Sequence, residues 1–254
     1  MIDVAFTRAD LRTADVAVVV DVLRATSTAT QAIATGYRMV LCTETIDRAR
    51  ELRGAGRVLA GERNCVRPPG FDQGNSPLEA IERRGDELVL ATTNGAPTIV
   101  AAAHHAPRVL LACMLNVGSV IRALGPPPGA GRELDVQIVC SGTDGAVALE
   151  DVYVAGRLSA ALWGDRTDAA LVAEGVARAF ESPFEALVRS ADAAILTEAG
   201  LTRDIAYCAR EAELDVVPAV IAAGADVAAV ADLGRRADGD ADDVALDADD
   251  TVSV

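Results

Sequence analysis

Four short polar segments hold most of the side chains able to do chemistry: DVLRATST (21–28), GERN (61–64), TTNGAP (92–97) and SGTDG (141–145). Pooled, they supply the carboxylates Asp21, Glu62 and Asp144, with Glu150 and Asp151 just beyond. Arg24 and Arg63 supply positive charge, with Arg67 a few residues on, and Thr26, Ser27, Thr28, Thr92, Thr93, Asn94, Ser141 and Thr143 supply small polar groups. Hydroxyls, glycine-flanked N–H groups and guanidinium forks are the usual means of holding a phosphate or sulfonate. Carboxylates beside such an anion repel it unless a divalent cation lies between, and all-oxygen donors suit Mg²⁺. Together the residue types point to metal-assisted chemistry on a phosphorylated small molecule. The competing account of each segment is plainer: Asp21 and Thr26 as helix caps, Arg24 as a surface charge, Glu150 and Asp151 as residues facing solvent.

The elements that must position these groups follow from apolar spacing. The run VAVVVDVL from Val16 has no alternation, as in a strand covered on both faces, and the hydroxyl-rich helix after it ends at Gly36. Further strands are predicted at 39–42, 58–60, 87–91, 109–112 and 136–139. Helices are predicted at 45–52, 77–84, 99–103, 116–124, 146–162 and 202–213, with one or two more inside 167–189. The long polar loop 61–79 ends in Ser76-Pro77-Leu78-Glu79, which reads as a capping box opening a helix. Alternating strands and helices predict an α/β fold with a mostly parallel sheet flanked by helices and a helix-rich C-terminal part. Ligands of such sheets sit at the carboxyl ends of strands. All four polar segments follow predicted strands, so they should converge on one active-site rim. GPPPGAGRE (125–133) is an exposed connection between an N-terminal α/β half (1–124) and a helix-rich C-terminal half (134–235), whether these are two domains or one. The Asp-dense segment 238–254 reads as a solvated tail.

Composition removes several classes. The net charge is −15 and all 23 basic residues are Arg, which argues against a nucleic-acid or anionic-membrane surface. Hydrophobic residues make up 51% of the 254 but aromatics only 3%, so the core must be built from Ala, Val, Leu and Ile. Five widely spaced cysteines without a CxxC pair speak against a disulfide scaffold or structural zinc. With no signal sequence and no apolar run of spanning length, the expectation is a soluble cytoplasmic protein. An Ala-rich C-terminal half suits burial against a second copy, a homodimer.

Named mechanisms fall away in turn. Asp21-Val22-Leu23-Arg24 lacks the second Asp of an aspartyl-phosphatase loop, and Cys42-x5-Arg48 lacks the glycines of a phosphate cradle. Cys140 suits packing, and His104-His105 suits a helix end. No GxSxG, P-loop or GxGxxG occurs. The residues themselves assign Asp21, Arg24 and Ser141 to catalysis and Asp21, Glu62 and Asp151 to Mg²⁺. They assign Thr26, Ser27, Thr28, Arg63, Asn75, Thr93, Asn94, Gly95, Gly142 and Thr143 to the anion. The attacking group stays open between water, Ser141 and Ser27. A non-catalytic binding protein for a phosphorylated or sulfonated metabolite would use the Arg and hydroxyls but not Glu62 and Asp151, and an interaction protein would use none of them.

In order and spacing, DVLRATST, GER followed by GFDQGNSP, TTNGA, SGTDGAVALEDVYVAG and DIAYCAREAELDVVP (204–218) resemble the 2-phosphosulfolactate phosphatase family. The resemblance covers nearly the whole chain apart from the acidic tail, with Ala96 where the family pattern has Thr. It implies an Mg²⁺-dependent α/β phosphatase that converts phosphosulfolactate to sulfolactate in coenzyme M biosynthesis.

Overall fold

In the computed structural model, which describes residues 1–125 and 134–236, the short apolar runs become strands and the intervening stretches helices. In chain order these are β1 (Ile2–Ala5), β2 (Val16–Val20), α1 (Ala25–Thr35), β3 (Met39–Thr43), α2 (Ile46–Glu51), β4 (Arg57–Gly61), β5 (Glu87–Ala91), α3 (Gly95–Ala103), β6 (Val109–Ala112) and α4 (Val117–Leu124). After the residues left undescribed come β7 (Val136–Cys140), α5 (Leu149–Ala161), α6 (Asp168–Arg178), α7 (Pro183–Val188), α8 (Ala191–Glu198), α9 (Thr202–Cys208), β8 (Pro218–Ala223), β9 (Val227–Asp232) and α10 (Leu233–Arg236). Gly36 closes α1 in the left-handed conformation, φ +105°, as the sequence predicts.

One nine-stranded sheet runs β1-β7-β2-β6-β8-β9-β3-β5-β4. It is parallel within β1-β7-β2-β6 and within β3-β5-β4, and the β8–β9 hairpin joins these blocks by antiparallel pairing. β7 lies between β1 and β2, so strands from 1–124 and 134–235 share this sheet. Every residue of β2 is buried, because successive side chains enter opposite layers. Val16, Val18 and Val20 join a cluster with α4 to α9, while Ala17 and Val19 join a second cluster with α1 and α3. α1 packs on β3, β5, β6 and β8, and α3 on β2, β3, β6 and β9, so both helices bridge the two parallel blocks. An aromatic-poor core lets backbones approach closely. A Cβ on Gly156 of α5 would lie 2.0 Å from the Ala173 carbonyl oxygen of α6, so that crossing needs glycine.

Four expectations are corrected. Residues 77–84 form no α-helix, only a 3-10 turn at Glu79–Ile81. The capping box fails because Ser76 Oγ donates to Asp204 and Glu79 accepts from the Gly74 N–H. The helix predicted over 202–213 stops at Cys208. Strands β1, β8 and β9 and helix α8 were not predicted: β1 is only four residues long, and the Ala-rich β8, β9 and α8 carry neither period clearly. The connection 126–133 and the tail from 237 lie outside the described residues.

Candidate active site

Asp21 ends β2 and starts α1 at once. Its Oδ1 accepts from the Ala25 N–H at 2.7 Å, and its N–H donates to Thr26 Oγ1 at 3.1 Å. Thr26 Oγ1 donates in turn to the Asp21 carbonyl, and Ser27 Oγ to that of Val22, both at 2.8 Å. Thr26, Ser27 and Thr28 are buried and absent from the cleft lining, so they shape the strand-to-helix turn instead of facing a ligand.

The loops after β2, β4, β5 and β7 do converge. They close a cleft of about 150 Å³ lined by Asp21, Arg24, Glu62, Asn75, Thr92, Thr93, Asn94, Thr143 and Asp144, with Asp192, Ile195 and Leu196 of α8 on one wall. Hydrogen bonds lock the loops together. Glu62 Oε1 accepts from both the N–H and the Oγ1 of Thr93 at 2.9 Å, and its Oε2 from the Cys65 N–H at 3.1 Å. Asn94 Oδ1 accepts from the Asp144 N–H at 3.2 Å, and Thr143 Oγ1 donates to Asp192 Oδ2 at 2.7 Å.

Other expected residues lie behind the wall. Asp151 spends Oδ1 on the Val22 N–H and Oδ2 on the Gly142 N–H, at 2.9 and 3.1 Å, which joins the turns after β2 and β7 from below. Gly142 has φ +65°, and a Cβ there would lie 2.3 Å from the Ala146 carbonyl oxygen. Arg63 donates to the carbonyls of Glu62 and Glu44, both at 2.7 Å, and so pins its loop. Ser141 is buried outside the lining, and its Oγ has no partner among the described residues. Gly95 abuts Asp21 without lining the cleft. Glu150 and Asp151 do not face solvent, since both are buried at the start of α5. Asp192 gave no sequence signal, and Asp204 only its place at the start of the 204–218 segment that carries part of the family resemblance. The first lies in an Ala-rich helix that was not predicted, and the second meets Arg24 across 180 residues of chain.

The electrostatics are acidic. Burial, helped by the charges of Asp192 and Glu62, pushes Asp21 up to about 7 against the opposing Ala25 N–H and Arg24. Burial next to Asp192 pushes Glu150 up to about 8. Asp151 and Asp192 are raised as well, first by burial and then by neighbouring carboxylates. Arg24 is the one cation among the lining residues, and it is paired with Asp204. The cysteines are free, and burial pushes the Cys42 thiol up to about 12, which leaves the Cys42-x5-Arg48 match without a thiolate.

Among the described residues no three His, Cys, Asp or Glu side chains lie close enough to hold a metal by themselves. Mg²⁺ asks less of a protein, since one or two carboxylates suffice and water and substrate phosphate complete its shell. Asp21 and Glu62 meet that requirement, and the buried Asn75 Oδ1, which has no partner among the described residues, adds a third hard oxygen. The donor set therefore fits the ion.

A mostly parallel sheet whose strand-end loops close a small, carboxylate-rich cleft defines an α/β enzyme acting on a small molecule. Residues 4–222 match the family described as 2-phosphosulpholactate phosphatase, and the chain belongs to that family. The resemblance carried by its motifs is thus borne out. Among its relatives, a Thermus thermophilus protein is 39% identical over 213 residues, covering 80% of this chain and 87% of that protein. A Pseudothermotoga lettingae protein is 36% identical over 224 residues, covering 87% and 96%. A Deinococcus radiodurans protein is 39% identical over 216 residues, covering 82% and 88%. Each is named "Probable 2-phosphosulfolactate phosphatase". Among the described residues no helix is long and apolar enough to cross a membrane.

Proposed function

We propose that this protein hydrolyses a small phosphoester of the 2-phosphosulfolactate type to sulfolactate and inorganic phosphate, with Mg²⁺ bound. The observation that carries the reading is the cleft's charge: four lining carboxylates, Asp21, Glu62, Asp144 and Asp192, against one guanidinium, in a chain matching the phosphatase family from residue 4 to 222. A polyanionic ester enters such a cleft only with added positive charge. Asp21 and Glu62, with Asn75 Oδ1, would hold the Mg²⁺, which when bound supplies that charge and stabilises the transition state as a Lewis acid.

The chain's own groups do the rest. Arg24 offers its fork to one oxyanion and the Asn94 amide nitrogen donates to the other, while Thr93 and Thr143, whose hydroxyl protons go to Glu62 and Asp192, hold those carboxyl groups in place. Ser141 lies outside the lining, so water is assigned the attack on phosphorus. The departing alkoxide needs a proton, and Asp192, held by Thr143, is the lining carboxyl assigned to supply it as the ester P–O bond breaks; the proton shed by the attacking water as the new P–O bond forms returns to Asp192. Asp151, Thr26, Ser27 and Gly142 keep the loops in register.

A phosphate-release screen with 2-phosphosulfolactate, 2-phospholactate and phosphoglycolate, each with Mg²⁺ or EDTA, tests the reading. Release should be fastest from the sulfonated ester, vanish in EDTA and return with Mg²⁺. Asp21→Asn should lower it by about 100-fold or more while the thermal midpoint stays near wild type. No release from any ester, or full activity in Asp21→Asn, refutes the assignment.

A further inference from the structure

Arg24 and Asp204 form an almost fully buried ion pair, with 2.6 Å from Nη1 to Oδ2 and each side chain 3% exposed. Stability alone does not explain such a pair, because desolvating two charges costs about what their attraction returns, and apolar residues of similar size do as well or better. The second oxygen of Asp204 is also in use. Oδ1 accepts from Ser76 Oγ at 2.8 Å, so one carboxylate on α9 grips the turn after β2 and the end of loop 61–79 together. Each gripped segment delivers a polar group to the cleft. Arg24 lines it directly, and Asn75, adjacent to Ser76, lines it with a buried Oδ1 that has no partner among the described residues.

We propose that Asp204 is a positioning residue: holding Arg24 with one oxygen and Ser76 with the other, it sets the Arg24 guanidinium at the oxyanion end of the substrate and keeps Asn75, whose Oδ1 would hold the cation, beside it in the cleft wall. This rests on the reading of the cleft as a phosphoester site. The oxyanion is a phosphoryl or a sulfonate group, which share tetrahedral geometry and acceptor oxygens. Groups that orient metal ligands from behind change affinity or activity by about 10- to 100-fold when altered, and the same scale is expected for a carboxylate that orients an anion-binding guanidinium.

The test compares wild type with Asp204→Asn, Asp204→Glu and Ser76→Ala. For each, kcat and KM are measured with 2-phosphosulfolactate and Mg²⁺. Affinities for inorganic phosphate and for methanesulfonate come from calorimetry, and folding is followed by circular dichroism. Asp204→Asn should raise KM about tenfold or more with a much smaller change in kcat, Asp204→Glu should recover part of the loss, and Ser76→Ala should raise KM about threefold. The anion whose affinity falls in parallel with KM is the one gripped here. A folded Asp204→Asn protein with KM and both affinities within about twofold of wild type overturns the proposal, as its role is then structural only. If Asp204→Asn does not fold, Ser76→Ala decides, because it keeps the ion pair, and an unchanged KM in that variant overturns the proposal. Wild type that neither turns over the ester nor binds phosphate or methanesulfonate defeats the phosphoester reading and this proposal with it. Wild type that does either, with intact variants of unchanged affinity, defeats this proposal alone.

Discussion

Asp21 is held at three points, and the third is a neighbour that has no side chain. A Cβ on Gly95 would lie 2.4 Å from both Asp21 Oδ2 and the Ala25 Cβ, closer than real contacts allow. Gly95 begins α3, where alanine would be the better helix former, so the preference for glycine here is tertiary. Gly95→Ala should displace the Asp21 carboxylate, lowering kcat/KM about tenfold or more and costing about 1–3 kcal/mol of stability as an overpacked site. Kinetics and urea melts read both effects, and full activity with unchanged stability would mean that Asp21 tolerates the shift.

At the scale of elements, the start of α5 sets two opposed effects against each other. Carboxylates in a first helical turn gain up to about 2 kcal/mol from the helix dipole. Burial outweighs this for Glu150, which rises from 4.5 to about 8. A carboxyl raised in the folded state binds its proton more tightly there than in the unfolded chain, so stability is greatest below the unfolded value and is lost as pH rises towards the folded one. For Glu150 that window runs from 4.5 to about 8, and for Asp21 from 3.8 to about 7. Urea unfolding in EDTA from pH 5 to pH 8 should therefore show falling stability, by at most about 1.4 kcal/mol per pH unit for each such group. Glu150→Gln should flatten the curve. A wild-type curve that rises across this range would contradict the buried, protonated state of α5's first turn.

For the whole molecule, the charge of −15 confronts an anionic ester. The Debye length shrinks from about 30 Å at 0.01 M salt to about 8 Å at 0.15 M, so added salt screens the long-range repulsion more than contacts inside the cleft. At fixed Mg²⁺, kcat/KM for 2-phosphosulfolactate should rise severalfold over that range, mainly through KM. A steep fall instead would mean that local attraction governs capture.

The legible part of this protein is what repeats locally. VAVVV reads as a strand buried on both faces because each of its residues is apolar, and β5 and β6 were read at their observed bounds for the same reason. Strand-end placement followed, and with it the convergence of Asp21, Arg24, Glu62, Asn94 and Thr143. The β8–β9 hairpin was not legible, because alanine-rich strands carry no distinct period, and it is this hairpin that joins the two parallel blocks. Partnership was not legible either. Whether a carboxylate meets a backbone N–H, as Asp151 does, or a guanidinium 180 residues away, as Asp204 does, depends on where separate segments come to rest. The sequence by itself determined which loops reach the rim, since burial period and chain order are local properties. Only the tertiary structure decided which side chains on those loops face the cleft and which hold it in shape, because contact between distant residues is set by the packing of the whole sheet.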